Sequence, residues 1–500
     1  MAASTTSTSA PSATRIIRAA VAVLVLALAG ALAWAMAARG PWYDEFFTLY
    51  VTSRPETFTE ALGRHWLADN HPPLFYALAD LADLAGWLGP AVEQRRLVNA
   101  LIGLAALGGG WAVTRGARTE FRLLAAFYLA ALVAQPTVLV HGAELRSYFL
   151  SLAACAVLVL ALVRFYAEPR PGASRLALWL AMVVAFNTHI ATSLIAGALV
   201  AAFLAVALAR RRGDFVRAVL PPALVGGALF VAVTAVQWPH WEANTRAFWI
   251  APGLFAARWG IEVFVLAALR ANLIVLAGGA LGLGLLGWRA LRREISPRAD
   301  CVLALVLGTG FALAMIVAIH LVLRPFVVDR YLVGLVPALA MVLALGVAAL
   351  AGRWPRLGLA LLLAATAASL LALWANARET AARPSWNGTA ALIAAEIRRC
   401  PATVVHHDAM WNEPVAALAP AENRQVLPFA YALMAARHGF MLEPAASRRV
   451  AKGCPTLFWT EHGQAPGEAA LLARLKATGY PLGAVAIRRV GDGWVGVARP

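Results

Sequence analysis

The sequence predicts a polytopic α-helical membrane protein of about 11–13 transmembrane helices, with a small extracytoplasmic α/β domain at its C-terminal end. Three observations predict it. Apolar runs of about 20 residues, each long enough to cross a bilayer, recur from Ile16 to Ala375. Of 500 residues, 61% are hydrophobic and 14% charged, with a mean hydropathy of +0.70, where a soluble domain is about one-quarter charged. Beyond Asn376, charges and prolines return and no run could span. A net charge of +17 would suit nucleic acid, but the arginines sit in short clusters between apolar runs. That is the positive-inside pattern, which orients helices; it implies membrane lipids, not nucleic acid, as partners.

Residues 1–15 are polar, low in complexity, and read as disordered. Arg15 and Arg18 lead into Ala19–Ala38. AWAMAA resembles a cleavage region, yet the run exceeds a normal signal-peptide core and reads as an uncleaved helix. The candidate spans of the membrane module, 16–376, are 16–38, 72–88, 96–114, 121–140, 146–164, 175–187, 189–209, 215–237, 270–288, 300–323, 331–351 and 356–376. Clusters at Arg115/Arg118/Arg122, Arg164/Arg170/Arg175, Arg210/Arg211/Arg212/Arg217, Arg289/Arg292/Arg293/Arg298 and Arg353/Arg356 mark cytoplasmic loops. The loop 39–71, His141–Ser147, Asn187–His189, Trp238–Gly253, Arg324–Tyr331 and everything after Asn376 then lie outside. One conflict follows. Full crossings by both 72–88 and 96–114 would put the Arg115 cluster outside, so one is re-entrant or partly inserted, or a loop is misassigned. Asp80 and Asp83, three apart on one helical face, favour partial insertion of 72–88. Their blander reading is a pair facing other helices, with Arg95 or Arg96 as partner.

Residues 377–500 read as a small outside α/β domain. Ser385 is placed to cap a helix over Trp386–Arg399. TVVHH, TLFWTE, AVAIRR and WVGVA read as strands, the last two joined across Gly491-Asp492-Gly493. The four cysteines lack the CxxC spacing of a zinc site. Cys155 and Cys301 lie inside apolar runs and read as core. Cys400 and Cys454 each precede Pro and a short apolar run. If their strands are parallel neighbours, the strand starts lie about 4.8 Å apart, close to disulfide reach in an oxidising compartment. Antiparallel or non-adjacent strands would separate the thiols. His406-His407-Asp408 has metal-like composition, but adjacent strand residues point to opposite faces. Asn387-Gly388-Thr389 matches a glycosylation sequon, a pattern frequent by chance.

The polar clusters with chemical potential fall on outside loops: Asp44 and Glu45, His71, Glu144-Leu145-Arg146-Ser147-Tyr148, His189, Trp238–Trp249, and Asp329-Arg330-Tyr331. Acids kept at a membrane edge are functional candidates by default. The set suits a lipid-linked phosphate donor, whose tail stays between helices while its phosphate needs cationic partners. A carboxylate would take a proton from the incoming acceptor. Each cluster also has a plain structural reading. Trp42, Tyr43, Phe46, Phe47 and Tyr50 read first as an interfacial aromatic belt. His71 could begin a helix ahead of Pro, His189 could be a buried hydrogen bonder between helices, and Arg330 an end-anchor.

In order, Asp44-Glu45, His71-Pro72-Pro73-Leu74, Glu144/Arg146/Tyr148, Thr188-His189-Ile190, Arg330-Tyr331 with Pro337, then Arg383-Pro384-Ser385-Trp386 resemble the bacterial polyprenyl-phosphate-sugar glycosyltransferases of the glycosyltransferase C superfamily. Protein O-mannosyltransferases and the lipid A aminoarabinose transferase are relatives in that group. The resemblance runs from about Asp44 to Trp386. It implies Asp44 as general base, with Glu45 in a supporting or metal-facing role. It implies His71 near the donor phosphate and Arg146, Tyr148, His189, Arg330 and Tyr331 around the substrate; Ile190 stands where relatives often carry an aromatic. The implied function is transfer of a sugar, with inversion, from a polyprenyl-phosphate carrier to an envelope lipid, glycan or protein on the outer face of the cytoplasmic membrane. Charge stabilisation would fall to Arg or to a divalent metal ion, the one cofactor so implied. The alternative is a polytopic lipid or solute transporter or flippase, though paired repeats with broken helices are not evident in the sequence.

Overall fold

The computed structural model describes residues 10–53, 56–84, 89, 91–168, 172–244, 250–294, 296–407, 423–444, 447–461, 468–477 and 484–499. The first helices are α1 (Ala10–Ala38), α2 (Tyr43–Thr52), α3 (Phe58–Ala61, continuing into a π-turn at Leu62–Trp66), α4 (Leu74–Leu84), α5 (Val92–Arg95) and α6 (Leu97–Thr114). The chain continues through α7 (Thr119–Val133), α8 (Pro136–Gly142), α9 (Tyr148–Ala167), α10 (Ala173–Thr188), α11 (Ile190–Ala209) and α12 (Gly213–Asn244). It then forms α13 (Leu254–Arg270), α14 (Leu273–Leu291), α15 (Pro297–Val322), α16 (Val336–Arg353), α17 (Pro355–Ala381) and α18 (Trp386–Arg399).

Among the described residues, nine helices are long and apolar enough to cross a membrane, or ten if α7 and α8, bent by 66° at their break, form one span. Among the described residues, two expected spans fall short. The segment 72–88 contains α4, whose 11 residues rise only about 16 Å, about half a hydrocarbon core. The segment 175–187 is α10, a 16-residue apolar helix of about 24 Å. Asp83 pairs with Arg95 at 2.6 Å. One boundary also moves, and one helix is new. Helix α12 runs on through Pro239 to Asn244, beyond its expected end at 237, and α13 fills a stretch assigned to no element. Residues 10–15 belong to α1 instead of a disordered tail; residues 1–9 and Trp249 lie outside the described residues.

The spans sort into centre and periphery. The cores of α9 and of the 333–353 span are 94% and 89% buried, whereas α1 and α12 are 17% buried and present leucines and valines outward, as lipid-facing helices do. Helices α14 and α16 meet at glycines. A side chain on Gly282 would collide with the Gly346 carbonyl, so only glycine allows this approach. The arginine-rich loops gather at one end of the bundle, tied by Arg118–Glu168 (3.2 Å), Arg298–Glu120 (2.7 Å) and Arg210–Asp300 (3.0 Å).

The C-terminal domain sits at the opposite end. Its sheet has the order β1-β2-β4-β3, formed by Val404–His407, Thr456–Thr460, Gly493–Ala498 and Val485–Val490 respectively. β1 and β2 are parallel; β4 runs antiparallel to β2 and β3. The β3–β4 hairpin turns on Gly491-Asp492, with Gly491 at φ +60°, where glycine adopts a left-handed conformation without strain. Cys400 and Cys454 precede the parallel neighbours β1 and β2 and form a disulfide with Cα atoms 5.7 Å apart. Ser385 occupies the N-cap of α18, but its side chain makes no capping bond. Instead the Trp386 N–H donates to the Pro41 carbonyl at 3.1 Å, which ties the domain to the loop after α1.

This docking overturns the aromatic-belt reading. Phe46 packs on Trp386 (4.9 Å between ring centres), Tyr50 on Phe429 (5.4 Å) and Phe47 on Tyr76 (6.3 Å). These rings lie buried between the bundle and the domain, not in a lipid interface. Further ties are His65 to Asn423 (2.6 Å) and Arg437 to Glu93 (2.8 Å).

Candidate active site

The two central spans deliver the site. Arg146 and Tyr148 stand where α9 begins, and Arg330 and Tyr331 lie in a 3-10 turn (Asp329–Tyr331) just ahead of α16. Asp44 and Glu45 occupy the first turn of α2, where a carboxylate also favours the helix dipole. His189 is the single residue between α10 and α11. The chain can break there because Asn187 and Thr188 bond back to the carbonyls of Val183 (2.9 Å) and Val184 (2.6 Å), which closes α10.

Asp44 is the focus. Its Oδ2 lies 3.9 Å from Arg146 Nε and 3.8 Å from Arg330 Nη1, with the Asp44 side chain 13% exposed. These distances are too long for hydrogen bonds. Two guanidiniums therefore flank the carboxylate without closing on it. Arg146 also lies across the rings of Phe47 and Tyr148 (5.9 Å each), and Arg330 across Trp42 (5.8 Å) and Tyr148 (6.0 Å). Behind them the rings interlock: His71–His189 at 5.0 Å, Tyr148–His189 at 5.6 Å and His189–Tyr331 at 4.6 Å. Asp44, His71, Arg146, Tyr148, His189, Arg330 and Tyr331 thus meet at one end of the bundle. Among the described residues, Arg146 Nε and His71 Nε2 are buried without a hydrogen-bond partner, the condition of polar groups awaiting a ligand.

Glu45 faces away from this space. It is fully buried and binds Arg96 through both oxygens at 2.7 Å, while Oε1 also accepts the Leu145 N–H at 2.8 Å. It joins α2 to the loop that carries Arg146. No oxygen is left for a metal, and guanidiniums surround Asp44. Among the described residues no group of three or more metal-ligating side chains exists. The site does not fit a divalent ion. His406 and His407 are also otherwise engaged: His406 Nε2 bonds the Arg449 carbonyl at 2.8 Å, and His407 stacks on Tyr431; Asp408 lies outside the described residues.

The two imidazoles have different surroundings. His189 Nδ1 accepts the Ala191 N–H at 3.2 Å, so that nitrogen carries no proton. Burial, reinforced by His71, Arg146 and Arg330, pushes its pKa well below the usual histidine range and keeps it neutral. His71 Nδ1 faces the Asp69 carboxylate at 3.0 Å, and Tyr76 donates to the same oxygen at 2.6 Å. Burial would raise Asp69, but the charge and hydrogen bond of His71 and the Tyr76 bond hold it below the ordinary aspartate value. Glu144 behaves alike. Burial opposes its ionisation, yet bonds from His141 (3.0 Å) and Arg39 (2.7 Å) bring it down to about 2.

Four participants escaped the sequence reading of the site: Arg96, Asp69, Arg39 and Gln237. Gln237 Nε2 donates to the carbonyls of Trp66, Asp69 and His71 (3.2, 3.0 and 2.9 Å) and so fixes the His71 loop. Asp69 had a signal, two residues before His71. The others had none, because their partners lie far away in sequence.

No family model and no curated protein sequence matches this chain. Solved structures do. The crystal structure of ArnT from Cupriavidus metallidurans in the apo state superposes with a TM-score of 0.54 at 15% identity, covering 96% of this chain and 98% of that one. ArnT from the same organism bound to undecaprenyl phosphate gives 0.52 at 16% identity, with 98% of each chain covered. Along nearly its whole length, the chain shares the polytopic membrane fold of ArnT, as its resemblance to the glycosyltransferase C superfamily implies.

Proposed function

We propose that the protein is an integral membrane glycosyltransferase that moves a sugar from a polyprenyl-phosphate carrier to an acceptor on the outer face of the cytoplasmic membrane. The observation that carries this reading is the Asp44 carboxylate, flanked but not closed by Arg146 and Arg330. It is supported by a shared fold with a protein crystallised with undecaprenyl phosphate. The arginine-rich loops lie at the other end of the bundle, which by the positive-inside rule supports an outside position for the site.

In the proposed step, Asp44 removes the proton from an acceptor hydroxyl or amine, which attacks the anomeric carbon. The bond from that carbon to the phosphate oxygen breaks, and its electron pair leaves with the lipid phosphate. Arg146 and Arg330 receive the growing charge, as fixed donors that need no reorganisation. One displacement inverts the anomeric centre. His189 remains neutral and packs the Tyr148–Tyr331 wall.

Binding of undecaprenyl phosphate to the purified protein tests the reading. Arg146→Ala or Arg330→Ala should weaken it about 10–100-fold, the worth of a charge-assisted hydrogen bond. Lysine at either position should restore only part, since a point charge cannot replace a planar fork. Parent-like binding by both alanine variants would make these arginines structural.

A further inference from the structure

At the end of the bundle opposite the site, three arginines converge on one cleft. Arg118 precedes α7, Arg164 lies in the last turn of α9, and Arg298 in the first turn of α15. Arg164 is 1% exposed. Its guanidinium lies over the Phe121 ring at 4.8 Å and meets Glu168 at 3.1 Å. Arg118 reaches the same Glu168 at 3.2 Å, and Arg298 holds Glu120 at 2.7 Å. All five charged groups line a cavity of about 110 Å³ whose inner wall is Leu124, Val163 and Leu345. Three guanidiniums thus face two carboxylates, and one carboxylate is shared. A buried arginine beside a cavity with surplus positive charge is a receptor for an anion.

The ligand follows from depth. The cleft lies where the α9 span ends and the α15 span begins, the level of lipid headgroups. We propose that this cleft binds the phosphate of an anionic phospholipid of the cytoplasmic leaflet, clamping α7, α9 and α15 together. The guanidinium forks match phosphate oxygens, and the apolar wall accommodates the first carbons of the lipid. This site is separate from the one around Asp44 and does not depend on the reaction proposed there.

Native mass spectrometry of the detergent-purified full chain, titrated with phosphatidylglycerol or phosphatidylcholine, tests it, with thermal unfolding in parallel. Phosphatidylglycerol should bind at least about tenfold more tightly than phosphatidylcholine and raise the melting temperature. Arg118→Gln and Arg298→Gln remove side chains with one end in solvent and should each weaken that binding about tenfold or more. Undecaprenyl-phosphate binding should not change in either variant. Equal binding of the two phospholipids, or parent-like phosphatidylglycerol binding by both variants, would overturn the site. Protection by inorganic phosphate alone, matching that of phosphatidylglycerol, would overturn the lipid assignment in favour of a free anion.

Discussion

The Arg96–Glu45 pair offers a sharp test of how the site is held. Arg96 uses all five N–H donors inside the protein. Nε and Nη2 grip Glu45 at 2.7 Å each, Nη1 donates to the carbonyls of Met36 (2.8 Å) and Arg39 (2.6 Å), and Nη2 also reaches Gly40 (3.2 Å). It thereby closes the end of α1 and fixes the residue next to Asp44. Glu45→Gln keeps the shape but leaves a fully buried guanidinium without its counter-charge. Breaking one partner of such a pair costs about 3–5 kcal/mol, a large part of the roughly 5–15 kcal/mol that holds a folded protein together. The melting temperature should fall by on the order of 5 °C. Turnover should fall further than unfolding explains, since a shift of about 1 Å at the base can cost roughly 100-fold. The double variant Glu45→Gln/Arg96→Met removes both charges and should recover much of the lost stability but not the turnover. Thermal unfolding and transfer assays on the four proteins of this cycle decide it. Parent-like melting of Glu45→Gln, or a double variant no more stable than the sum of the singles, would refute the reasoning.

Two further predictions concern the C-terminal domain. The Cys400–Cys454 bridge spans a sequence separation of 54, worth about 4 kcal/mol in the chain-entropy model. Non-reducing peptide mapping should find the crosslink, and the double serine variant should melt earlier; two freely alkylatable thiols in fresh membranes would contradict it. Glu461 is buried and accepts bonds from Trp459 Nε1 (2.9 Å) and Thr389 Oγ1. Burial, with Asp492 adding to it, lifts its carboxyl to about 8 despite the Trp459 bond. The folded chain then keeps a proton that the unfolded chain loses near 4.5. Stability should therefore decline as pH rises from 4.5 to 8, by at most about 5 kcal/mol. Glu461→Gln should flatten the profile; parallel profiles for parent and variant would rule this out.

Much of this architecture was legible because its signals are local. Hydropathy marked the long spans, and β-rich runs punctuated by Gly491-Asp492-Gly493 marked all four strands. What was missed depends on tertiary partners. Phe46 and Tyr50 look like belt residues until a domain some 340 positions later covers them. Ser385 has cap chemistry, but its helix start is held by the Pro41 carbonyl. Helix α13 was hidden by an ordinary surface pair, Arg258–Glu262 at 2.6 Å, which lowers its apparent apolarity. Arg96 reads as a partner for Asp80 or Asp83 until the fold brings Glu45 to it. Asp44, Arg146 and Arg330 stood out because they fall on the outside loops, apart from the arginine clusters that mark the cytoplasmic ones, but their mutual spacing exists only in three dimensions.

The central claim is that Asp44 drives sugar transfer on the outer face. Mass spectrometry of envelope lipids and glycans from cells carrying the parent protein, the Asp44→Asn variant or none tests it most directly. The account predicts a sugar-modified envelope component present only with the parent, and donor binding intact in the asparagine variant with turnover lower by about 10²–10⁴-fold. The same modified component at parental levels in Asp44→Asn cells, or no difference when the protein is absent, would contradict it.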